Sequence, residues 1–313
     1  MTDAGLRRPR APAAPATIGV FCLSGSVEPD RLDEGIRRIE SAGHRVVAAA
    51  ETRRQWKYFA GTDEERLAGF HRLLDDPAID VMLAARGGYG ISRLLPAIDW
   101  GRVAASRKAF VGFSDFTAFN CAALARAGLA TLHGPMVAMD FGHGEPDPFM
   151  REHFEATLWG TSDSHTVVCD HQAPRGTISG PLWGGNLSML AHLAGTPYLP
   201  AIDGGLLYVE ELDEQPYAVE RLFLQLHLAG VLARQSAILL GDFCACRPTN
   251  TQRYPYSMQE VVESLRGLVD CPVLTDLPFG HVARKLTLPF GIEASLSLGQ
   301  DGYTLAWPGL GET

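Results

Sequence analysis

Metal-binding clusters and cofactor fingerprints are missing from this chain. Its six cysteines are scattered, and only Cys244 and Cys246 are close together in the sequence. No second pair stands at the spacing of zinc ligands, which excludes a cysteine zinc cluster and favours free, buried thiols. The segment Arg86-Gly-Gly-Tyr-Gly90 fits neither the dinucleotide fingerprint nor the lysine-containing phosphate loop. We therefore expect neither a metal nor a cofactor.

Long hydrophobic runs and an excess of positive charge are also missing. No apolar run approaches the ~20 residues that cross a bilayer, and the net charge of -9 gives no reason to expect nucleic acid or an anionic membrane as a partner. Residues 1–16 are rich in Pro, Ala and Arg and contain no hydrophobic segment typical of an export signal. These features predict a cytoplasmic protein whose first sixteen residues form a disordered tail.

The residues that are present predict a substantial folded core. The chain has 313 residues, of which 46% are hydrophobic and 20% charged, a composition typical of one large or two ordinary domains. Apolar runs at 17–24, 80–85 and 109–112 alternate with segments of helical periodicity. This alternation predicts an α/β domain over 17–165 whose parallel sheet is covered on both faces, with a site at the carboxyl ends of the strands.

The second half of the chain follows a different pattern. The alternation weakens between about 142 and 175, which predicts a linker region with one short helix. A strand over 206–210, a helix from Pro216 and the capping box Ser257-Met-Gln-Glu260 come next, followed by several short strands. We therefore predict a second, α+β domain over 166–313 that is richer in strand than the first.

The segment Val111-Gly-Phe-Ser-Asp115 carries the strongest chemical signal. A serine on a tight turn from strand to helix exposes its hydroxyl, and the amides that open the helix can stabilise an oxyanion beside it. Phe116 replaces the second glycine of the G-x-S-x-G pattern. The alternative is that Ser114 or Asp115 only caps the helix.

A serine nucleophile needs a base and a group that orients the base. His281 lies on a Gly- and Pro-flanked turn, where it is either a base or a surface histidine. Glu210 and Glu211 end an apolar strand, and because strand neighbours point to opposite faces, at most one faces a crevice. The alternative is two solvated carboxylates. The amides of Arg86-Gly-Gly-Tyr-Gly90 suit an oxyanion or a substrate carboxylate, or else form only a structural turn.

Further motifs occur in order along the chain: His133-Gly-Pro-Met136, Gly180-Pro-Leu-Trp-Gly-Gly-Asn-Leu187, Gly195-Thr-Pro-Tyr198, Glu214-x-Pro-Tyr217, and Phe279-Gly-His281 ahead of Thr287-Leu-Pro. Together with the Arg86, Ser114 and Glu210 segments, their order and spacing from about residue 17 resemble the LD-carboxypeptidases, the muramoyltetrapeptide carboxypeptidase family of serine peptidases. The resemblance implies a flavodoxin-like N-terminal domain and a β-rich, swivelling C-terminal domain, with the active site between them.

The resemblance also implies a catalytic triad in which Ser114 is the nucleophile, His281 the base and Glu210 the orienting carboxylate. Two departures stand out: the family usually has Glu-Asp where this chain has Glu210-Glu211, and often tyrosine where it has Phe113. Family members are often dimers and need no cofactor, so a homodimer is expected.

The implied reaction removes the terminal D-alanine from a peptidoglycan tetrapeptide during peptidoglycan recycling. We expect the amides of Gly88 and Asp115 to bind the oxyanion, and Arg86 and Arg284 to bind the terminal carboxylate of the substrate. Two other functions stay open. Microcin C7 self-immunity proteins resemble the same family and cleave peptidyl or aminoacyl nucleotides, and a peptide-binding module without activity would keep the same cleft.

Overall fold

Helices and strands alternate along the first half of the chain, and the computed structural model describes residues 6–171, 173–253 and 255–310. The elements of the first half are β1 (Thr17–Phe21), α1 (Pro29–Ser41), β2 (Arg45–Ala48), α2 (Asp63–Asp75), β3 (Val81–Ala84), α3 (Ile91–Leu94), α4 (Trp100–Ser106), β4 (Ala109–Gly112), α5 (Phe116–Ala122), β5 (Thr131–His133) and α6 (Pro148–Trp159). Two π-helical turns, Ala123–Ala127 and Val137–Phe141, follow α5 and β5.

The second half contains more strand than helix. Its elements are β6 (Ser162–Val168), β7 (Gly176–Asn186), α7 (Leu187–Leu193), β8 (Gly205–Leu212), α8 (Pro216–Leu228), β9 (Gln235–Cys244), α9 (Met258–Leu268), β10 (Val273–Leu274), β11 (Leu288–Phe290), β12 (Glu293–Leu298) and β13 (Gly302–Pro308).

The first sheet has six strands in the order β11-β5-β4-β3-β1-β2, and its five N-terminal strands are parallel. Without β11 the order is 2-1-3-4-5, the arrangement of flavodoxin-like domains. Every residue of β3 and β4 is buried because helices cover both faces of the sheet, which is why these strands are continuous apolar runs. The predicted parallel α/β fold is confirmed.

Capping signals in the sequence explain where two of the helices begin. Before α2, the Thr62 hydroxyl accepts a hydrogen bond from the Glu65 amide, and the Glu65 carboxylate accepts one from the Thr62 amide. The predicted box at Ser257 and Glu260 opens α9 through the same reciprocal pair of bonds.

The second sheet has seven strands in the order β10-β9-β8-β7-β12-β13-β6. Strands β7 to β10 are parallel, whereas β12, β13 and β6 join antiparallel at the other side of β7. Strand β8 runs parallel to β7 and β9, so the carboxyl ends of all three strands lie on the same side of the sheet. Glu210 lies at this end of β8. The β-rich second domain is confirmed.

A strand from the second half of the chain completes the first sheet. β11 pairs antiparallel with β5, placing Leu288 opposite His133 and Phe290 opposite Thr131. Backbone hydrogen bonds of the first sheet therefore join the second half of the chain to the first half. No local sequence pattern indicates this long-range pairing, because three apolar residues fit either sheet equally well.

The segment predicted as a linker region with one short helix contains that helix, α6, and also the strand β6, which was not predicted. Helix α6 occupies twelve residues and is capped by Asp147, whose carboxylate accepts from the amides of Phe149 and Met150. Exposed and partly buried residues alternate along most of strand β6, and its composition is therefore polar. Such a strand cannot be recognised as an apolar run in the sequence. The predicted domain boundary at 165/166 falls inside β6, and α6 with β6 links the two sheets.

Part of the predicted disordered tail is packed against the first domain. Residues 1–5 lie outside the described residues, but Arg7 exchanges backbone hydrogen bonds with the 128–130 segment and Arg10 donates to the Arg107 carbonyl at 2.7 Å. Ala16 is only 2% exposed. The prediction of a disordered tail is therefore wrong from residue 6 onwards. Backbone hydrogen bonds order this segment, and its Pro- and Ala-rich composition does not indicate them.

No helix in the described ranges is both long enough and apolar enough to cross a membrane.

Candidate active site

Ser114 lies on the turn between β4 and α5, at the carboxyl end of a central strand of the first sheet. Its φ is +64°, a left-handed conformation that strains a residue with a side chain. The backbone enters the helix at once, since the Thr117 amide donates to the Ser114 carbonyl at 2.9 Å. Neither Ser114 nor Asp115 caps α5 through its side chain. The geometry is that of a nucleophile elbow.

The glycine-rich turn after β3 packs directly on this serine. A Cβ at Gly87 would lie 2.8 Å from Ser114 Cβ and 3.0 Å from its Oγ, so only glycine allows the approach. Gly88 follows with a φ of +103° and is exposed. Among the described residues, the amides of Gly88 and Asp115 donate to no protein acceptor. Both predicted oxyanion donors are thus free.

The side chains of Ser114, His281 and Glu210 form one hydrogen-bonded chain. His281 Nε2 lies 3.0 Å from Ser114 Oγ, and His281 Nδ1 lies 2.7 Å from Glu210 Oε2. Glu210 is 1% exposed, whereas the imidazole retains 16% exposure. The Phe113 ring contacts the imidazole edge-to-face at 5.1 Å. Residues far apart in sequence therefore converge on the distances that general-base activation of a hydroxyl requires.

Glu211 has a different role from Glu210, as strand alternation predicts. Its carboxylate accepts hydrogen bonds from Asn186 Nδ2 at 2.9 Å and from the Ser188 amide at 2.8 Å. It therefore holds the N-terminal turn of α7, and it is only 3% exposed. The alternation of side chains along the strand shows that only one glutamate can face the site, but it does not show which one. In the structure, Glu210 contacts His281.

Two family models match the chain: the LD-carboxypeptidase N-terminal domain matches residues 18–134, and the LD-carboxypeptidase C-terminal domain matches residues 179–296. Together these ranges cover well over half of the sequence. The chain belongs to the LD-carboxypeptidase family.

Relatives and solved structures match this chain along most of its length. The murein tetrapeptide carboxypeptidase of Pseudomonas aeruginosa is 33% identical over 93% of this chain and 94% of its own length. The crystal structure of muramoyltetrapeptide carboxypeptidase from Oxalobacter formigenes has a TM-score of 0.87 at 37% identity, covering 94% of this chain and 98% of that one. A microcin C7 self-immunity protein in complex with aspartyl sulfamoyl adenosine has a TM-score of 0.84 at 27% identity, covering 95% and 98%.

The two arginines predicted to bind a carboxylate occupy different surroundings in this chain. Arg86 is partly buried at the start of the glycine-rich turn, and its guanidinium donates to the Ser26 carbonyl. Arg284 is exposed, and its guanidinium stacks 3.9 Å from the centre of the Phe149 ring on α6. The structure therefore brings Arg86 to the turn that packs on Ser114, but gives Arg284 no contact with the Ser114, Glu210 and His281 chain.

A buried polar network behind the elbow joins the two domains. His133, at the end of β5, lies 3.2 Å from Thr117 Oγ1 and 2.7 Å from the Tyr208 hydroxyl of β8. The Asn186 amide donates to Thr117 Oγ1 at 3.0 Å. Burial lowers the pKa of His133 to about 3, so this imidazole is neutral. His133 therefore links β5 to α5 and β8 as a structural residue.

A buried ion pair lies beside His281. Lys285 Nζ lies 2.6 Å from Asp140 Oδ1, and the two side chains are 3% and 6% exposed. The same ammonium lies 3.7 Å from the centre of the Phe113 ring, which itself contacts His281. The pair therefore ties the loop that carries the histidine to the first domain. Lys285 follows a histidine by four residues, but nothing in the sequence pairs it with Asp140.

In the ranges that the structure describes, no group of three or more His, Cys, Asp or Glu side chains is arranged to hold a metal ion.

Proposed function

We propose that this chain is a serine-type carboxypeptidase that removes the terminal D-alanine from muramoyl tetrapeptides. Ser114 is the nucleophile, His281 the general base and Glu210 the carboxylate that orients the imidazole. The observation that carries the proposal is the continuous hydrogen-bonded chain from Ser114 Oγ through the imidazole to Glu210 Oε2. Membership of a peptidase family supports the same chemistry.

In the proposed mechanism, His281 Nε2 takes the proton of Ser114 while Oγ attacks the scissile carbonyl carbon. Glu210 accepts the hydrogen bond from Nδ1–H, which leaves Nε2 unprotonated for this step, and stabilises the imidazolium that forms. Water screens this charge weakly because Glu210 is 1% exposed. The imidazolium then protonates the departing D-alanine amine, and water hydrolyses the acyl-enzyme by the same route.

The oxyanion of the tetrahedral intermediate is bound by the amides of Gly88 and Asp115. Their lack of protein acceptors within the described chain supports this assignment, and each such donor contributes roughly 10²–10³ in rate. Arg86 is the first candidate for binding the terminal carboxylate, because it precedes the turn that packs on Ser114. Arg284 is the second candidate, since it lies three residues after His281. Replacing the arginine that binds the terminal carboxylate by glutamine should raise KM more than it lowers kcat.

The test is hydrolysis of a tetrapeptide that ends in D-alanine beside its all-L isomer, with released alanine measured. The proposal requires release from the first peptide, little from the second, and loss of release when Ser114 is replaced by alanine. Near-wild-type hydrolysis by Ser114→Ala would remove this serine from the mechanism, and a preference for the all-L peptide would refute the substrate.

A microcin C7 self-immunity activity on aminoacyl or peptidyl nucleotides is the second candidate, supported by the structural match to such a protein. One observation weighs against the simplest version of it: Trp183 is 1% exposed and its indole N–H donates to Gln235 at 2.8 Å, so this ring cannot stack on a purine. Release of nucleotide from an aminoacyl nucleotide, measured beside alanine release, separates the two activities.

A binding module without catalysis is the third candidate, and the complete hydrogen-bonded chain at Ser114 argues against it. Labelling of Ser114 by a fluorophosphonate probe supports a hydrolase. We also propose that the enzyme acts in the cytoplasm in peptidoglycan recycling, and that it is a homodimer. Exposed apolar residues on one face of α8, among them Leu228 at 84% exposure, are consistent with self-association; the mass in solution tests it.

A further inference from the structure

The carboxylate of Asp115 lies buried among three loops beside the elbow. Its Oδ2 accepts a hydrogen bond from the Ser24 hydroxyl at 2.6 Å and another from the Ile91 amide at 3.1 Å. The residue is 1% exposed, and Oδ1 has no hydrogen-bond partner among the described residues. The carboxylate therefore makes its bonds to two other segments of the first domain rather than to α5, the helix it precedes.

One of these bonds holds the carboxyl end of the glycine-rich turn, and the other holds a neighbouring segment that contacts Gly87. Ile91 is the residue directly after Gly90 and begins α3, so its bond anchors the carboxyl end of the turn. Ser24 precedes Gly25, whose amide donates to the Gly87 carbonyl at 3.4 Å. The bond between Ser24 and Asp115 therefore holds the segment that contacts the amino end of the turn. The Arg86 guanidinium also holds the start of the turn by donating to the Ser26 carbonyl, whereas the amide of Gly88 donates to no acceptor in the described chain.

We propose that the side chain of Asp115 is a positioning residue that holds the Gly87–Gly88 turn against Ser114. This inference rests on the proposed function, in which the Gly88 amide binds the oxyanion. Because Asp115 is joined to Ser114 by a peptide bond, any movement of the nucleophile carries the anchor of the turn with it. The Ser114 hydroxyl and the Gly88 amide then keep a fixed distance and orientation to each other, as preorganised oxyanion stabilisation requires.

The energetic cost of this arrangement supports a specific role. Burial raises the pKa of the Asp115 carboxyl to about 6, against the opposing effects of its bonds to Ser24 and Ile91 and of the nearby Arg66 and His192 charges. A buried carboxylate with one unpartnered oxygen is destabilising in itself. The asparagine variant keeps an oxygen acceptor for the Ile91 amide, whereas alanine keeps none.

The test measures turn mobility and catalysis separately in the full-length protein. Hydrogen exchange of residues 86–93 reports the anchor directly, because the Ile91 amide loses its acceptor in Asp115→Ala. We expect exchange there to accelerate at least ~10-fold. The value of kcat on the D-alanine tetrapeptide should fall ~10²-fold or more, with KM changing less than about threefold, the signature of a lost transition-state interaction. Asp115→Asn should recover kcat to within ~10-fold of wild type.

The outcomes separate this inference from the proposed function. Unchanged exchange in Asp115→Ala, or equal activity of the alanine and asparagine variants, overturns the positioning role even where the tetrapeptide is hydrolysed. A wild-type protein that hydrolyses no tetrapeptide and takes up no fluorophosphonate overturns the proposed function, and the exchange measurement still decides whether the carboxylate holds the turn. Should Asp115→Ala fail to fold, Ser24→Ala removes the bond that holds the segment beside Gly87, and unchanged exchange of the Gly25 amide with unchanged kcat in that variant also overturns the inference.

Discussion

Removal of the Lys285 ammonium should destabilise the protein strongly. Lys285→Met leaves the Asp140 carboxylate 6% exposed without the partner that lies 2.6 Å away, and an uncompensated buried charge of this kind costs roughly 3–5 kcal/mol. Met136 still donates its amide to Asp140 Oδ2 at 2.7 Å, but one hydrogen bond does not replace a counter-charge. Methionine keeps an apolar contact with the Phe113 ring, so packing is a minor part of the loss.

Asp140→Asn should produce a loss of similar size, because it leaves the Lys285 ammonium buried at 3% exposure. In the double variant neither charge remains, and replacement of a whole buried pair by neutral groups is often close to neutral. We therefore expect the double variant to be more stable than either single variant, with a coupling free energy of at least ~2 kcal/mol. Urea unfolding at pH 7, with the slope of each transition compared, measures all four proteins.

The matched control is the exposed pair Arg102 and Asp75, whose side chains are 40% and 58% exposed. The same cycle there, Arg102→Met and Asp75→Asn, should show single effects and a coupling below about 1 kcal/mol. Additive losses at Lys285 and Asp140, or single losses no larger than those of the control, would mean that the pair is solvated. The contact between the two domains beside His281 would then not depend on the ion pair of Lys285 and Asp140.

Four further predictions concern single residues. Ser114→Ala should lower kcat at least ~10³-fold with little change in KM, measured by alanine release. Glu210→Gln should lower kcat ~10³–10⁴-fold because the amide cannot stabilise the imidazolium; Glu211→Gln should instead lower the urea midpoint while leaving the pH profile of kcat unchanged. Burial raises the pKa of Glu51 to about 7 from 4.5, so the folded state binds this proton more tightly than the unfolded state does. Stability from this group is present below pH 4.5 and is lost, by about 3 kcal/mol, as pH rises through 7. Glu51→Gln should therefore stabilise the protein at pH 8 but not at pH 4.5, and equal pH dependence of the two proteins would contradict this.

The predictability of the fold depended on how each element is buried. The first sheet could be predicted because β3 and β4 are buried on both faces and are therefore continuous apolar runs. Strand β6 could not, since it exposes alternate residues at the edge of the second sheet and carries Ser, Asp, His and Thr. Strand β11 has an apolar sequence but joins a sheet whose other strands lie more than 150 residues earlier in the chain.

The candidate site shows the same limit at the level of side chains. Ser114 is marked by a local turn pattern, so its elbow could be predicted directly. The roles of Glu210 and Glu211 depend on which face of β8 meets His281, and that follows from the position of β8 between β7 and β9. The bonds of the Asp115 carboxylate join residues 91 and 24 positions apart in the chain, so only the folded arrangement reveals them.

The distance between Ser114 and His281 is set by contacts that cross the seam around them. The serine belongs to the first domain and the histidine to the second, yet they lie 3.0 Å apart. The β11–β5 ladder, the bond between His133 and Tyr208 and the ion pair of Lys285 all join the two domains within the same region. A rigid-body opening wide enough to separate the two side chains would have to break buried hydrogen bonds and expose a buried charge, at a cost of several kcal/mol. The contacts between the two domains therefore keep Ser114 and His281 assembled.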